Sequence, residues 1–577
     1  MLRAGTSKKD ITAFKSGVGM MGYGMYHNRV KSVETPLFAR AVVFEKNENL
    51  IVFVNAELCF ISTAVKRGVI KKLSKRHPDK KLTFANVMLT AQHTHSGPGG
   101  YTKYGFYNLT IPGFVPFVYQ TIVDGISEAI SEAINKLSPC SLGFSEIAIP
   151  EYEEVAFNRS IKAYNSNKDV EKIPEDKTNL AVDRNMQILK IFNSEGKALA
   201  CINWFGVHTT NISNDNTKIC SDNKGYAADF LEKHFLEGGE ASNDFVAIFA
   251  QESAGDVTPN FIWDKKKKWT RGKFEDDFES AAYNGQIQFN YVKKAWKEAS
   301  EIDFSDIKID YVYNQFDFTR VFCDPEFTEG ILNARTSSPA HGVAFYKGTK
   351  EGPGMPKPLT ILASMLANGI RKYEFVKSRF QSEKKRKLIE DKYKWQGNKQ
   401  ILSETGEQKI LGTSKINKLI IPSWADPTIR ILKKQFKKGS LSKNPWIPRV
   451  LPLQIFLLGP VAIVGIPAEI TVVGGRRLRK TLLDQLQKFQ VQKVILSSYA
   501  NAYCGYITTF EEYEEQAYEG GHTVYGKYTL AAFQTKFKEL SKVFETLLKN
   551  RQLNSESEPA IFPDEEIAGR TFSEDEI

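Results

Sequence analysis

Residues 450–475 decide first what this chain can become. The segment is apolar over about the length of a membrane span, roughly 20 residues. It also contains Pro452, Pro460, Pro467, Gln454 and Glu469, and Gly459-Pro460 interrupts it. Proline removes a backbone donor and stops a helix, so the segment predicts two buried strands around a turn, 453–458 and 461–466. Similar short apolar runs predict strands at 39–45, 50–58, 82–89, 186–192, 198–207, 245–250 and 494–498. Turn residues Lys46-Asn47-Glu48-Asn49 and Asn193-Ser194-Glu195-Gly196 join two pairs of them. Ile307, Ile309, Tyr311 and Tyr313 alternate as an edge or half-exposed strand does. Val118, Ile122, Ile126, Ile130, Ala133 and Leu137 recur at helical spacing, as do Leu530, Phe533, Phe537, Leu540, Phe544 and Leu547. Strands and helices mix without a regular alternation. The predicted fold class is mixed α/β (α+β), with mixed β-sheets and surrounding helices.

The chain has 577 residues, 42% hydrophobic and 25% charged, an ordinary composition for a globular protein. Its net charge of +11 permits an anionic partner, but the charge is uneven and no nucleic-acid recognition motif accompanies it. Two stretches concentrate it: the four lysines 265–268 beside Trp269 and Arg271, and residues 367–443 with Lys384-Lys385-Arg386-Lys387. Both read as solvated faces, or as patches that meet lipid head groups. The six cysteines are widely spaced, with no Cys-x-x-Cys, and read as buried free thiols. The first ten residues hold no apolar leader run. As it stands that reads as cytoplasmic, or as secreted or periplasmic if a leader was removed. The glycine-rich stretch Gly17-Val18-Gly19-Met20-Met21-Gly22-Tyr23-Gly24 reads as an irregular loop; with no Lys-Ser/Thr it is not a phosphate loop. The acidic tail, 551–577, reads as linker-like.

Chemistry concentrates where apolar runs stop. The run 82–89 leads into Gln92-His93-Thr94-His95-Ser96-Gly97-Pro98-Gly99-Gly100, and the run 198–207 ends at His208. On a strand, residues two apart share a face, so His93 and His95 can converge on one point, as metal ligands or as a catalytic pair. Only eight histidines are present, and three of them follow apolar strands. Glu469 lies within an apolar run, where a carboxylate is costly unless paired or bound.

Further blocks follow in order. They are Asn158-Arg159-Ser160, Asn203-Trp204-Phe205-Gly206-Val207-His208, Gly255-Asp256-Val257-Thr258-Pro259-Asn260, Gly348-Thr349-Lys350-Glu351-Gly352-Pro353-Gly354, Glu469 ahead of Gly475-Arg476-Arg477-Leu478, Tyr506-Ile507-Thr508-Thr509, and Gln516-Ala517-Tyr518-Glu519-Gly520. Together they resemble the neutral/alkaline (non-lysosomal) ceramidase family across residues 10–530. The resemblance implies a zinc amidohydrolase domain, residues 1–550, that cleaves N-acylsphingosine (ceramide) to sphingosine and a fatty acid. It implies Zn²⁺ held by His93, His208, Glu469 and Tyr506. It places His95 beside the reacting amide as the proton-transferring group, Arg159 in the site, and Tyr518 at the carbonyl oxygen. The family's active-site serine position is Thr258 here, which keeps a hydroxyl but stiffens χ1. Well-known members continue into an immunoglobulin-like domain, which would begin near Phe572. Residues 367–443 match the family poorly. Related readings are the same chemistry on another N-acyl lipid or N-acyl amino acid, and a zinc-stabilised lipid-binding protein without turnover. The sequence leaves the oligomeric state open.

Overall fold

A computed structural model describes residues 1–111, 113–305, 307–414, 444–551 and 557–571, together with 430, 433, 434, 436 and 437. Its centre is two β-sheets packed face to face. The larger has eight strands, in the order Ala241–Gln251, Ala198–Phe205, Asn185–Asn193, Ser138–Ala148, Arg3–Asp10, Phe38–Lys46, Asn49–Ala56 and Val87–Ala91. Its inner pairs are antiparallel, while the outermost pair at each edge is parallel. The smaller has four strands, in the order Ile309–Asp317, Val450–Leu458, Val461–Gly465 and Lys493–Ser497.

The two-residue period of the strands divides their side chains between layers. Val42, Phe44, Ile51 and Phe53 join Phe456, Leu458, Ile463 and Ile495 in the core between the sheets. Val43, Val52 and Val54 lie on the opposite face, under the helices Thr63–Arg76 and Pro116–Asn135. Cys201 and Phe205 pack under the helices Asp222–Glu237 and Asp277–Trp296. Ala462 and Val464 pack with residues of the helices Val472–Leu486 and Thr529–Ser541. The result is a helix–sheet–sheet–helix stack. Strands buried on both faces are near-continuously apolar, which is why they stood out in the sequence.

The segment 450–475 folds as predicted. Val450–Leu458 and Val461–Gly465 pair antiparallel around Gly459, whose φ of +59° suits glycine. Among the described residues no helix is long and apolar enough to cross a membrane. Ile309–Asp317 is the edge strand of the smaller sheet, and all six cysteines are free, with Cys140 half-buried. The tail departs from its linker-like reading. Helix Asp564–Arg570 returns to the body, where the Phe114 N–H donates to the Arg570 carbonyl at 2.9 Å and Phe562 meets the Tyr104 ring. Of the basic region, 367–414 is described, and most of 415–443 lies outside the described residues.

Candidate metal centre

The two edge strands of the larger sheet approach each other at one end, and the site forms there. Strand Val87–Ala91 at one edge runs into His93, and strand Ala198–Phe205, second from the other edge, runs into His208. Gln251, the last residue of the far edge strand, clamps the two ends. Its side-chain N–H donates to the carbonyls of Gln92, at 2.9 Å, and Val207, at 2.5 Å. The smaller sheet supplies the third side. After Val461–Gly465 the chain reaches Glu469–Ile470, which pairs in parallel with Tyr506–Ile507 so that Glu469 lies opposite Tyr506. The loop between Ser497 and Tyr506 runs along the edge strand, where the Asn501 N–H donates to the Leu89 carbonyl at 2.8 Å.

His93 and His95 do converge, but not by strand alternation. The strand ends at Ala91, and His93 lies beyond it with φ +80°, a left-handed conformation uncommon for non-glycine residues. The twist turns its imidazole inward. Its Nδ1–H donates to the Cys59 carbonyl at 2.7 Å, and Tyr499 stacks on the ring at 4.1 Å. The His208 Nδ1–H donates to the carbonyls of Ala254 and Val257, at 2.7 and 2.9 Å. Both Nδ1 atoms are therefore committed to carbonyls, which turns each Nε2 toward Glu469, as metal-ligating histidines require. The two Nε2 atoms lie 3.4 and 3.1 Å from the same oxygen of Glu469, Oε2. Tyr499 donates to that oxygen at 3.2 Å, and Tyr503 donates to the other. His93, His208 and Glu469 are all essentially buried.

This donor set fits a divalent cation. Two imidazole nitrogens and one carboxylate oxygen converge, a combination common at zinc sites. His208 Nε2 makes no hydrogen bond despite its burial, an orphan costly unless something binds it. Burial opposes a positive charge on His93, yet the Glu469 carboxylate raises its pKa to about 10, so this point favours positive charge. Burial raises the Glu469 pKa, but His93 and His208 outweigh it and hold the carboxylate well below the ordinary range. Cys59 also lies close to His93, but its sulfur is 3.7 Å from Nδ1, the nitrogen turned away from Glu469.

The second half of the site is an ion network around Arg159. The strand Phe157–Asn158 pairs with Val257–Thr258 and delivers Arg159 beside the loop that holds His208. The guanidinium donates to Glu519 at 2.9 Å, Glu351 at 2.7 Å, the Gly255 carbonyl at 2.9 Å and the Tyr506 hydroxyl at 2.9 Å. Glu351 also accepts from Thr258 at 2.5 Å, Thr210 at 3.0 Å and Asn260 at 3.2 Å. Glu519 accepts from Ser160 at 2.6 Å. Burial raises the Glu351 pKa, but Arg159 and then His208 outweigh it and keep the group ionised. Burial and Glu469 hold the Tyr506 phenol well above its usual value. Tyr518 is half-buried, meets Tyr506 edge-on at 5.6 Å and stacks on Phe345 at 5.4 Å.

His95 sits between the halves and the N-terminal loop. Its Nε2 is 3.0 Å from that of His93, its Nδ1 is buried without a partner, and Tyr23 meets its ring edge-on at 4.7 Å. Burial, reinforced by His93 and His208, holds its pKa well below the ordinary value, so the ring is neutral. The glycine-rich loop read as irregular is part of this wall. Met20–Met21 pairs with Gly97–Pro98, and a Cβ on Gly22, at φ +133°, would lie 2.4 Å from the His95 ring.

All eight residues singled out in the sequence thus lie in these linked networks. Glu351, Glu519, Tyr499 and Tyr503 received no role from the sequence, although Glu351 and Glu519 lie in quoted blocks. What the sequence did not show is that both carboxylates reach one arginine.

Residues 2–421 and 432–535 match the family described as neutral/alkaline non-lysosomal ceramidase, N-terminal. The chain belongs to this family. It is 32% identical to the neutral ceramidase of Pseudomonas aeruginosa over 552 residues, covering 93% of this chain and 71% of that protein. It is also 32% identical to neutral ceramidase A of Dictyostelium discoideum, covering 97% of this chain and 74% of that one. Among solved structures it resembles a ceramidase complexed with C2, with a TM-score of 0.77, 30% identity, and coverage of 98% and 77% of the two chains. The mixed α/β fold of this ceramidase-family chain is therefore shared with solved relatives.

Proposed function

We propose that this chain is a zinc-dependent amidohydrolase that cleaves the amide of N-acylsphingosine, releasing sphingosine and a fatty acid. The observation that carries the reading is the convergence of His93 Nε2 and His208 Nε2 on one oxygen of Glu469, in a chain of the neutral ceramidase family. His93, His208 and Glu469 would hold the zinc ion, with Tyr506 as the fourth ligand. Zinc in such a set supplies Lewis acidity and lowers the pKa of a water to about 7.

The residues around it divide the remaining work. Glu469 turns Oε2 toward the histidines while Tyr503 holds Oε1, which leaves the carboxylate oriented through one oxygen. Arg159 donates to the Tyr506 oxygen and fixes the direction of its lone pairs. Tyr518 keeps its proton at neutral pH, because burial and Glu469 raise its pKa, and so can donate to the oxygen of a tetrahedral species. One such donor is worth roughly 3 kcal/mol. Neutral His95 can take a proton from the attacking water and pass it to the departing amine, which makes one imidazole base and then acid. Thr258 holds Glu351 through its hydroxyl, so we assign it a positioning role. Nucleic acid has no place in this reading.

A panel of N-acyl substrates tests it: long- and short-chain N-acylsphingosines, an N-acyl amino acid and an N-acylethanolamine. Release of sphingosine at a kcat/KM well above the other amines supports the assignment. Preference for an N-acyl amino acid would move the substrate, and no release from any of them would leave a lipid-binding protein.

A further inference from the structure

Helix Lys357–Ser378 is built inside out. On a helix that packs by one face, the large apolar side chains turn inward. Here small ones do much of that work: Ala363 and Ala367, 8% and 5% exposed, pack against Val343, joined near the C-terminal end by Phe375 against Tyr393. Leu359, Leu362, Leu366, Tyr373, Val376 and Phe380 are all exposed, Phe380 to 87%, and Met365 beside them to 67%. The spacing of three, four, seven and three residues lines Leu359 to Val376 along one side, and Phe380 lies two residues past the helix end. Such a continuous exposed apolar surface marks a binding face.

The surroundings are cationic. Exposed Lys357, Lys372, Lys377 and Arg379, followed by Lys384-Lys385-Arg386-Lys387, outnumber the carboxylates of this stretch, Glu374 and Glu383. Long basic side chains can lay their stems on apolar surface and keep the charge at its border. The helix also sits next to the candidate site. It packs on the helix Val343–Lys347, which packs on Tyr518–His522, and Phe345 of the former stacks on Tyr518. Glu351 lies in the short loop just before it. On the other side of that loop, the Thr270 N–H donates to the Lys350 carbonyl at 2.8 Å. Thr270 belongs to the hairpin that carries the four lysines and the exposed Trp263.

We propose that the outward face of helix Lys357–Ser378 docks on an anionic phospholipid bilayer. Its apolar stripe enters the acyl boundary and the flanking lysines and arginines meet the head groups. The helix then lies in the interface and does not span it. The inference deepens the reading of an N-acyl lipid substrate and rests on it for its purpose. Its location differs from the lysine run 265–268 beside Trp269 that the sequence singled out; the two flank the same loop.

The test is flotation of the full chain with phosphatidylcholine vesicles, with and without phosphatidylglycerol, in low and high salt. No turnover is read, so its outcome is independent of the substrate assignment. The wild-type chain is expected to float with the anionic vesicles, less with neutral ones, and less in high salt. Leu362→Glu/Leu366→Glu lowers the bound fraction by about tenfold at an unchanged melting temperature, because both side chains are exposed. Lys384→Glu/Lys385→Glu lowers anionic binding alone. A wild-type chain that stays unbound overturns the proposal, as does an Leu362→Glu/Leu366→Glu variant that floats like wild type. So does an unbound dimer that this variant converts to monomer, which would make the stripe an interface between two copies.

Discussion

The two halves of the site solve the same problem, buried polarity, in opposite ways. Around Arg159 the ionic groups find their partners within the chain. One guanidinium lies between Glu351 and Glu519, and Thr258, Thr210, Asn260 and Ser160 supply further donors to those carboxylates. Around Glu469 they do not. Two imidazoles locked with Nε2 inward face a carboxylate, and one of those nitrogens makes no hydrogen bond. A buried network that satisfies itself is a scaffold, and one left with surplus acceptors is a ligand site. On the proposed reading metal binding falls to one half and positioning to the other, and Tyr506 joins them as the group to which Arg159 donates and which lies opposite Glu469.

Substitutions that separate binding from positioning can break this division. The largest effect is expected from Glu469→Gln, which keeps the volume and removes the charge. Bound zinc falls from about one per chain to none, and hydrolysis falls to background. Retained zinc in this variant would place the metal elsewhere. Next comes Arg159→Met. It leaves Glu351 and Glu519 unpaired, so stability drops by about 3–5 kcal/mol in denaturant titration, and kcat falls roughly 10²- to 10³-fold. Zinc stays bound; its loss would show that the halves are one unit.

Smaller changes sharpen the same line. Tyr503→Phe removes a donor to Glu469, so zinc affinity weakens about 10- to 100-fold in chelator competition while the fold is unaffected. Thr258→Val deprives Glu351 of one donor and costs about 1–3 kcal/mol, whereas Thr258→Ser restores the hydroxyl and behaves as wild type. If Thr258→Val were fully inactive with its fold and zinc intact, threonine would be a reacting group and the positioning role would fall.

Periodicity in the sequence revealed the strands because they are buried on both faces, and the proline-broken run 450–475 became a hairpin for the reason that excluded a membrane helix. The convergence of His93 with His208 was not legible that way. It depends on the edges of an eight-stranded sheet meeting at Gln92 and Gln251, a contact spread over 159 residues of chain. His93 also shows why local rules mislead at functional sites. The even spacing of His93 and His95 suggested strand alternation, whereas a left-handed residue beyond the strand end does the aiming. Helix Lys357–Ser378 is the converse case. Its apolar residues repeat as a buried helix's would, and only the structure shows that they face outward.

The central claim is that turnover requires the metal held by His93, His208 and Glu469. Zinc content and ceramide hydrolysis measured on the same samples, during chelation and stepwise restoration, test it most directly. The account predicts that activity falls in step with zinc and returns fully when about one equivalent is restored. Undiminished ceramide hydrolysis by the metal-free chain would contradict it.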